Sequence, residues 1–251
     1  MVSKEILEEN FEFLSAPYIG RIVAVGLSED GNAWRLFTGM GGRSAGSNNR
    51  YYRQLPDLNG HGDYIKTEVH DPALQKGDPS TTLYVAHRSR RGWHVASNGE
   101  QTEGICIALA LGRSFEEGQR LYRNEGPNAD YTARITAAVH VNGSSAIMGK
   151  IVRNPQCFDE SIYYSYYLGP GCELSLNPGE AYFTATYDGK GGTDPDYLPP
   201  RKILLRGSLE ESMDMLWNKW KHNKAGLAGK EIDRMTGEFR YAFRSIHPGR
   251  A

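Results

Sequence analysis

Apolar positions along the chain change period several times, and each change predicts an element. Ile6, Leu7, Phe11 and Leu14 recur at helical spacing behind Ser3, which can cap the first turn, and Pro17 ends the run. YIGRIVAVGLSEDGNAWRLFTG, from Tyr18 to Gly39, then reads as a hairpin, two β-rich runs joined by a Ser-Glu-Asp-Gly-Asn turn. From Gly39 to Pro79 the chain is polar and rich in Gly, Asn, Asp and Pro. It reads as one long loop, a length that goes with function or disorder. TTLYVAHRSRRGWHVASNG predicts a second hairpin, with strands Leu83–His87 and Trp93–Ala96 about a basic turn, Arg88–Arg91.

Helix follows. TEGICIALALG, from Thr102 to Gly112, is apolar nearly all round, which implies burial between layers, and Gly112 stops it. Ser114 and Glu117 stand in capping-box spacing for a restart. ARITAAVHVNGSSAIMGKIVR is a hairpin turned by Asn142-Gly143, and SIYYSYYLG and GEAYFTATYDG add two strands. SLEESMDMLWNKWKH is a second boxed helix, Ser208 with Glu211, carrying Leu209, Met213, Leu216 and Trp217 on one face. The tail beyond Lys224 is basic and weakly patterned. Hairpins, two adjacent helices, more hairpins and a late helix make an α+β layered domain with antiparallel sheets. No repeat or linker interrupts residues 1–251, so one domain is expected; periodicity does not fix the number of sheets.

Composition removes several function classes. The net charge is −1, so no global field draws nucleic acid or an anionic membrane, and a bound anion needs a local cluster. No apolar run reaches the roughly 20 residues of a membrane helix, and the acidic, amphipathic start MVSKEILEENFEFL lacks a signal segment. Cys106, Cys157 and Cys172 lie in unrelated contexts, which fits reduced thiols in the cytoplasm. The seven histidines show no metal-site spacing, no G-x-S-x-G elbow is present, and Cys106 in its apolar helix reads as a core thiol.

Four stretches carry candidate chemistry, each with a plainer reading beside it. GGRSAGSNNRYY holds Arg43 and Arg50 in a bed of Gly, Ser and Asn. It is either a solvated turn or a loop whose guanidiniums and glycine amides hold an anion. ASNGEQTEG offers Asn98, Gly99 and Thr102 at a helix start, as a turn and N-cap or as ligand donors. NEGPNADYTARITAAV holds Glu125 and Arg134, a surface ion pair or an acid/base with an anion ligand. Tyr187 ends a strand, for packing or for hydroxyl donation.

The order of these motifs resembles the archaeal-type IMP cyclohydrolase family: YIGRIVAVG, RSAGSNNR, ASNGEQTEGI, TARITAAVHVNGSSAIMGKIV, then YFTATYDG, from about Tyr18 to Tyr187. The resemblance implies a four-layer αββα sandwich of the N-terminal-nucleophile hydrolase type, working without autoprocessing. It implies ring closure of 5-formamidoimidazole-4-carboxamide ribotide to IMP, with no cofactor and no metal. It carries over Arg50, Tyr84 and Glu125 as catalytic positions. Arg21, Arg43, Asn98, Gly99, Thr102, Thr132, Arg134 and Tyr187 follow as substrate contacts, Arg43 toward the phosphate. The sequence departs from the family pattern in the enlarged loop Tyr51–Ser80 and in Thr132-Ala133-Arg134, where the family has Thr-Pro-Arg. The N-terminal helix, residues 1–16, and residues 200–251 read as extensions.

Ring closure suits these residue types. A weakly nucleophilic carboxamide nitrogen attacks a formyl carbon on the same imidazole, so proximity supplies much of the rate. The protein must donate to the developing oxyanion and move protons. The expected partner is a purine ribotide, with no nucleic acid or membrane and with homo-oligomerisation open. Two other readings remain: an amide hydrolase that exposes a new N-terminal Ser, Thr or Cys, and a purine-nucleotide sensor that binds without turnover.

Overall fold

The computed structural model describes residues 3–58, 60, 62–75, 83–127 and 130–247. Ser3 accepts from the Ile6 amide and starts α1 (Lys4–Glu12), which tightens into a 3₁₀ turn before Pro17. The first hairpin is β1 (Ile22–Leu27) and β2 (Ala33–Gly41), turned where Asp30 accepts from the Asn32 backbone and Ser28 from Ala33.

Gly39–Pro79 is not one loop. It holds a single helical turn, α2 (Ala45–Asn48), and a hairpin of β3 (Arg50–Leu55) and β4 (Tyr64–Val69), in register from Arg50↔Val69 to Leu55↔Tyr64. Residues 76–82, at the end of the expected enlarged loop, lie outside the described residues. Only Tyr51, Tyr52, Ile65 and Thr67 bury side chains against neighbours alongside Arg50, while Arg53 and Gln54 stay in water. So sparse an apolar set at a sheet edge hides the strand period.

The next hairpin, β5 (Val85–Arg90) and β6 (Trp93–Ser97), runs further than expected. Its turn is Arg91-Gly92 alone, both at positive φ, and Arg88 is a buried strand residue 3.0 Å from Asp57. In α3 (Gln101–Ala110) the cap position is Glu100, and Thr102 lies inside the first turn, so it is not the N-cap. Ile107 and Leu111 reach solvent, so α3 covers an outer face and is not buried between layers. α4 (Phe115–Gln119) carries the expected Ser114/Glu117 box.

β7 (Arg134–His140) and β8 (Ala146–Arg153) form the Asn142-Gly143 hairpin, followed by β9 (Ser161–Leu168), β10 (Glu180–Ala185) and β11 (Arg201–Leu204). α5 (Leu209–Lys219) has its Ser208/Glu211 box and buries Leu209, Met213 and Leu216. The weakly patterned tail is two further strands, β12 (Lys224–Asp233) and β13 (Phe239–Ser245).

Two antiparallel sheets result, ordered β11-β10-β1-β2-β12-β13 and β3-β4-β5-β6-β7-β8-β9. α1 and α5 cover the first, where Trp220, Met213 and Leu216 meet Phe37, Phe183 and Leu227. α3 and α4 cover the second through Ile105, Phe115 and Ile147. Between the sheets Val23, Trp34 and Leu36 face Ala96, Ile135 and Met148, and Met40, Tyr52, Ile65 and Tyr84 form a second cluster. The chain is therefore α+β, with helices outside two packed sheets. Among the described residues no helix is long and apolar enough to cross a membrane.

Candidate active site

The starts of β1, β3, β5 and β7 and the ends of β2, β6 and β10 meet at one end of the two sheets, where the candidate residues gather. Arg21 enters β1 through Gly20, whose φ is +72°. A Cβ there would lie 2.2 Å from Thr186 Oγ1 and 2.5 Å from Tyr187 Cδ2, so glycine alone fits. The Arg21 amide donates to Thr186 Oγ1, which fixes where the side chain leaves the strand.

Across the seam between the sheets, Arg21 Nη1 lies 2.8 Å from Glu125 Oε1. Glu125 is held by its amide to the Thr132 carbonyl at 3.0 Å, and Asn124 beside it is tied to Ser161 of β9. Its second oxygen, Oε2, is buried without a hydrogen-bond partner among the described residues. Tyr84 lies under the Arg21 guanidinium, 6.0 Å from ring centroid to Cζ. The Tyr84 hydroxyl is also buried, beside that of Tyr52, and its backbone is clamped by Thr67 at 2.8 Å.

Arg50 opens β3 and is almost wholly buried. Asn49 before it bonds the backbone of Asp71 in both directions, at 2.6 and 2.9 Å, and Arg50 Nε donates to the Ser47 carbonyl at 2.8 Å. The Asn-Arg pair thus folds the glycine-rich loop back on itself. Gly42 is needed there, since a Cβ would meet Ser47 Cβ at 2.1 Å, and its amide is spent on the Asn223 carbonyl.

The electrostatics tie these groups together. Burial works against the Arg21 cation, but Glu125 and the Tyr84 and Tyr187 phenols outweigh it and raise its pKa. Burial and then the neighbouring Arg21 lower the Arg50 pKa, with Tyr84, Tyr52 and Glu125 opposing. Burial raises the Tyr18 pKa even though Arg21, Arg43 and Arg50 all act on its phenol in the opposite direction. Tyr18 stacks on Tyr187 at 5.2 Å, and the Tyr187 hydroxyl meets Thr132 Oγ1 at 2.6 Å. Burial pushes Tyr187 up to about 12. Arg43 sits over the outer face of Tyr18, 4.9 Å from the ring centroid, and pairs with Asp130.

Of the candidates expected from sequence, Arg21, Arg43, Arg50, Tyr84, Glu125, Thr132 and Tyr187 come together here. Asn98, Gly99, Thr102 and Arg134 flank the cluster with their polar atoms engaged in the fold. Asn98 Oδ1 accepts from the Ile135 amide and Gln101, its Nδ2 donates to the Ala133 carbonyl, and its own carbonyl lies 3.5 Å from Arg21 Nη1. Thr102 Oγ1 bonds the Gly99 carbonyl and Ser97. Arg134 is not the partner of Glu125: its guanidinium reaches Glu100, Gln101 and the Arg123 carbonyl.

Sequence reasoning passed over Tyr18, Tyr52 and Asp130. Tyr18 stands three positions before Arg21 in the quoted motif, but a tyrosine before a β-rich run looks like packing. Elsewhere, a second polar cluster lies between the sheets. Lys230 Nζ donates to Ser89 Oγ under the Phe239 ring, His94 Nδ1 is 3.0 Å from the same hydroxyl, and His87 Nε2 is 2.8 Å from Thr38 Oγ1. The three cysteines are unpaired, and burial pushes the Cys106 thiol up to about 12, away from nucleophilic chemistry. Among the described residues no three His, Cys, Asp or Glu side chains are placed to hold a metal ion.

A family model described as IMP cyclohydrolase-like protein matches residues 18–235. The chain belongs to the IMP cyclohydrolase-like family. The match includes every residue of the cluster and runs past Tyr187, through α5 and β12, beyond the stretch in which the motifs are recognisable. A search among curated proteins gives no relative.

Proposed function

We propose that this family member is an IMP cyclohydrolase, closing 5-formamidoimidazole-4-carboxamide ribotide to IMP with loss of water. The observation that carries the reading is Glu125. One oxygen is held by Arg21 and the other is buried without a hydrogen-bond partner among the described residues, in the same cluster as the buried Tyr84 hydroxyl. A buried polar atom left unsatisfied costs stability, so the cluster suits a ligand that donates to that oxygen.

In this reading Glu125 takes a proton from the carboxamide nitrogen as it attacks the formyl carbon and passes it to the resulting oxyanion. The hydroxyl then leaves as water with the proton of the former formamide N–H, moved by the same carboxylate, as the C–O bond breaks and the ring C=N bond forms. Arg50 and Tyr84 donate to the oxyanion that builds on the formyl group, and their burial strengthens those bonds. Arg21 holds and aims Glu125. Arg43, over Tyr18 at the rim, takes the phosphate, while Thr132 and Tyr187 shape the wall. The Asn98–Thr102 turn and Arg134 support that wall from behind. The two packed sheets with outer helices suit the N-terminal-nucleophile hydrolase fold, which this reading uses without self-cleavage. Unpaired thiols suit a cytoplasmic place of work.

The test is direct. Purified protein converts the formylated ribotide to IMP, followed by absorbance without added metal, and an Arg50→Ala, Glu125→Ala double variant does not. Full turnover by that variant overturns the assignment of residues; no conversion by the unaltered protein overturns the reaction.

A further inference from the structure

The Arg43–Asp130 pair occupies the rim where the reading above puts a phosphate. Arg43 Nη2 lies 3.0 Å from Asp130 Oδ2, with side chains 44% and 59% exposed. Asp130 is not needed to aim Arg43, since the guanidinium rests on the Tyr18 ring, and Tyr18 is fixed by its stack on Tyr187 and by the Tyr187–Thr132 bond. Nor does the pair exhaust Arg43. Of its five N–H donors, one is engaged among the described residues, leaving the fork open to a larger anion.

Asp130 reaches this position through an uncommon backbone. Asp130 and Tyr131 both take left-handed φ, +54° and +51°, held by the Asp130 amide to Pro127 and the Tyr131 amide to Gly126. Among the described residues its carboxylate has one partner, Arg43. It also acts on the Tyr18 and Tyr187 phenols, in the direction opposite to Arg43 on Tyr18. A phosphate entering there meets a like charge already seated on its arginine.

We propose that Asp130 is a built-in competitor for Arg43, displaced by the phosphate of the ligand, so that its carboxylate sets how tightly the site takes a ribotide. The proposal rests on the ribotide reading and adds a residue that weakens binding by occupying a ligand's place. An exposed pair of this kind is weak, so its removal tightens binding by about two- to five-fold and no more.

Asp130→Asn tests this, because asparagine tolerates left-handed φ and lacks the charge; Asp130→Gly, unstrained there, is the second variant. The KM for the formylated ribotide and the Kd for IMP by calorimetry both fall about two- to five-fold, with kcat unchanged. The gain shrinks at high salt, as screening of exposed charges requires, and is absent when Arg43 is alanine. An unchanged or higher Kd, or a gain that persists without Arg43, overturns the proposal. If the unaltered protein binds IMP without converting the precursor, the ring-closure reading falls and the Kd comparison still decides the role of Asp130. If it neither binds nor converts, both fall.

Discussion

Arg21 and Glu125 join the two sheets at 2.8 Å, with both side chains almost closed to solvent. Arg21 stands immediately before β1 of the six-stranded sheet, while Glu125 comes from the loop that feeds the seven-stranded one. The proposed centre therefore exists only when the sheets are docked. A buried ion pair is poor evidence for stability, because desolvation offsets its attraction. This one is better explained by what it does to the free carboxylate oxygen.

Glu125→Gln separates chemistry from structure. The amide still accepts from Arg21, so the fold persists, but the proton mover is gone and kcat falls by about 10²–10⁴ with little change in KM. Glu125→Leu takes the counter-charge from the buried Arg21 and costs about 3–5 kcal/mol, read by urea denaturation. A glutamine variant with normal kcat removes Glu125 from the chemistry.

Tyr84→Phe gives the opposite pattern to a structural tyrosine. Its buried hydroxyl lies beside that of Tyr52 and makes no close hydrogen bond among the described residues, so deletion leaves stability within about 1 kcal/mol. Turnover nevertheless drops by about 10²-fold, as for loss of an oxyanion donor. Thermal denaturation beside steady-state kinetics checks both halves; lost stability with retained kcat makes Tyr84 a packing residue.

Gly20→Ala reaches the site through the backbone. The new methyl meets Thr186 and the Tyr187 ring at a φ of +72°, so both strain and overlap oppose it. The expected cost is about 1–3 kcal/mol, with kcat reduced because Arg21 and Tyr187 shift together. A variant as stable and active as the unaltered chain contradicts that coupling.

Lys230 makes stability depend on pH. Burial lowers its pKa well below 10.5, with Cys106 and Asp63 opposing, and burial also lowers His87 and His94. The unfolded chain holds the Lys230 proton up to about pH 10.5, whereas the folded chain releases it earlier. Stability therefore rises with pH through that window, by about 1.4 kcal/mol per unit for one proton, and levels above it. Lys230→Met is more stable at pH 7, with an advantage that shrinks toward pH 10.5. Urea denaturation at pH 7, 8.5 and 10 shows it; a constant difference rules out titration of this lysine.

How much was legible follows from which residues announce themselves. Ser114/Glu117 and Ser208/Glu211 mark helix starts because a capping box is local, and Asn142-Gly143 marks a turn for the same reason. β12 stayed hidden because AGLAGK is buried on both faces and built from small residues, so it has neither alternation nor β-branched character. β3 and β4 were hidden by their wet positions. In the site, Arg21, Arg50, Tyr84 and Glu125 could be named from motif order, but not the pairing of Glu125 with Arg21 in place of Arg134, because pairing depends on how two distant segments dock. Asn98 and Thr102 carried a signal that the fold itself uses: Asn98 ties the start of α3 to β7, and Thr102 ties it to the end of β6.

β12 lies between β2 and β13, paired along its length with a strand made nearly two hundred residues earlier in the chain. During vectorial synthesis β2 has only β1 beside it and keeps a bare hydrogen-bonding edge until residues 224–233 emerge. An exposed strand edge is a template for foreign strands. The nascent chain is therefore most vulnerable to aggregation after its motif-bearing part is made and before that late strand arrives, a window in which a holding chaperone has something to cover.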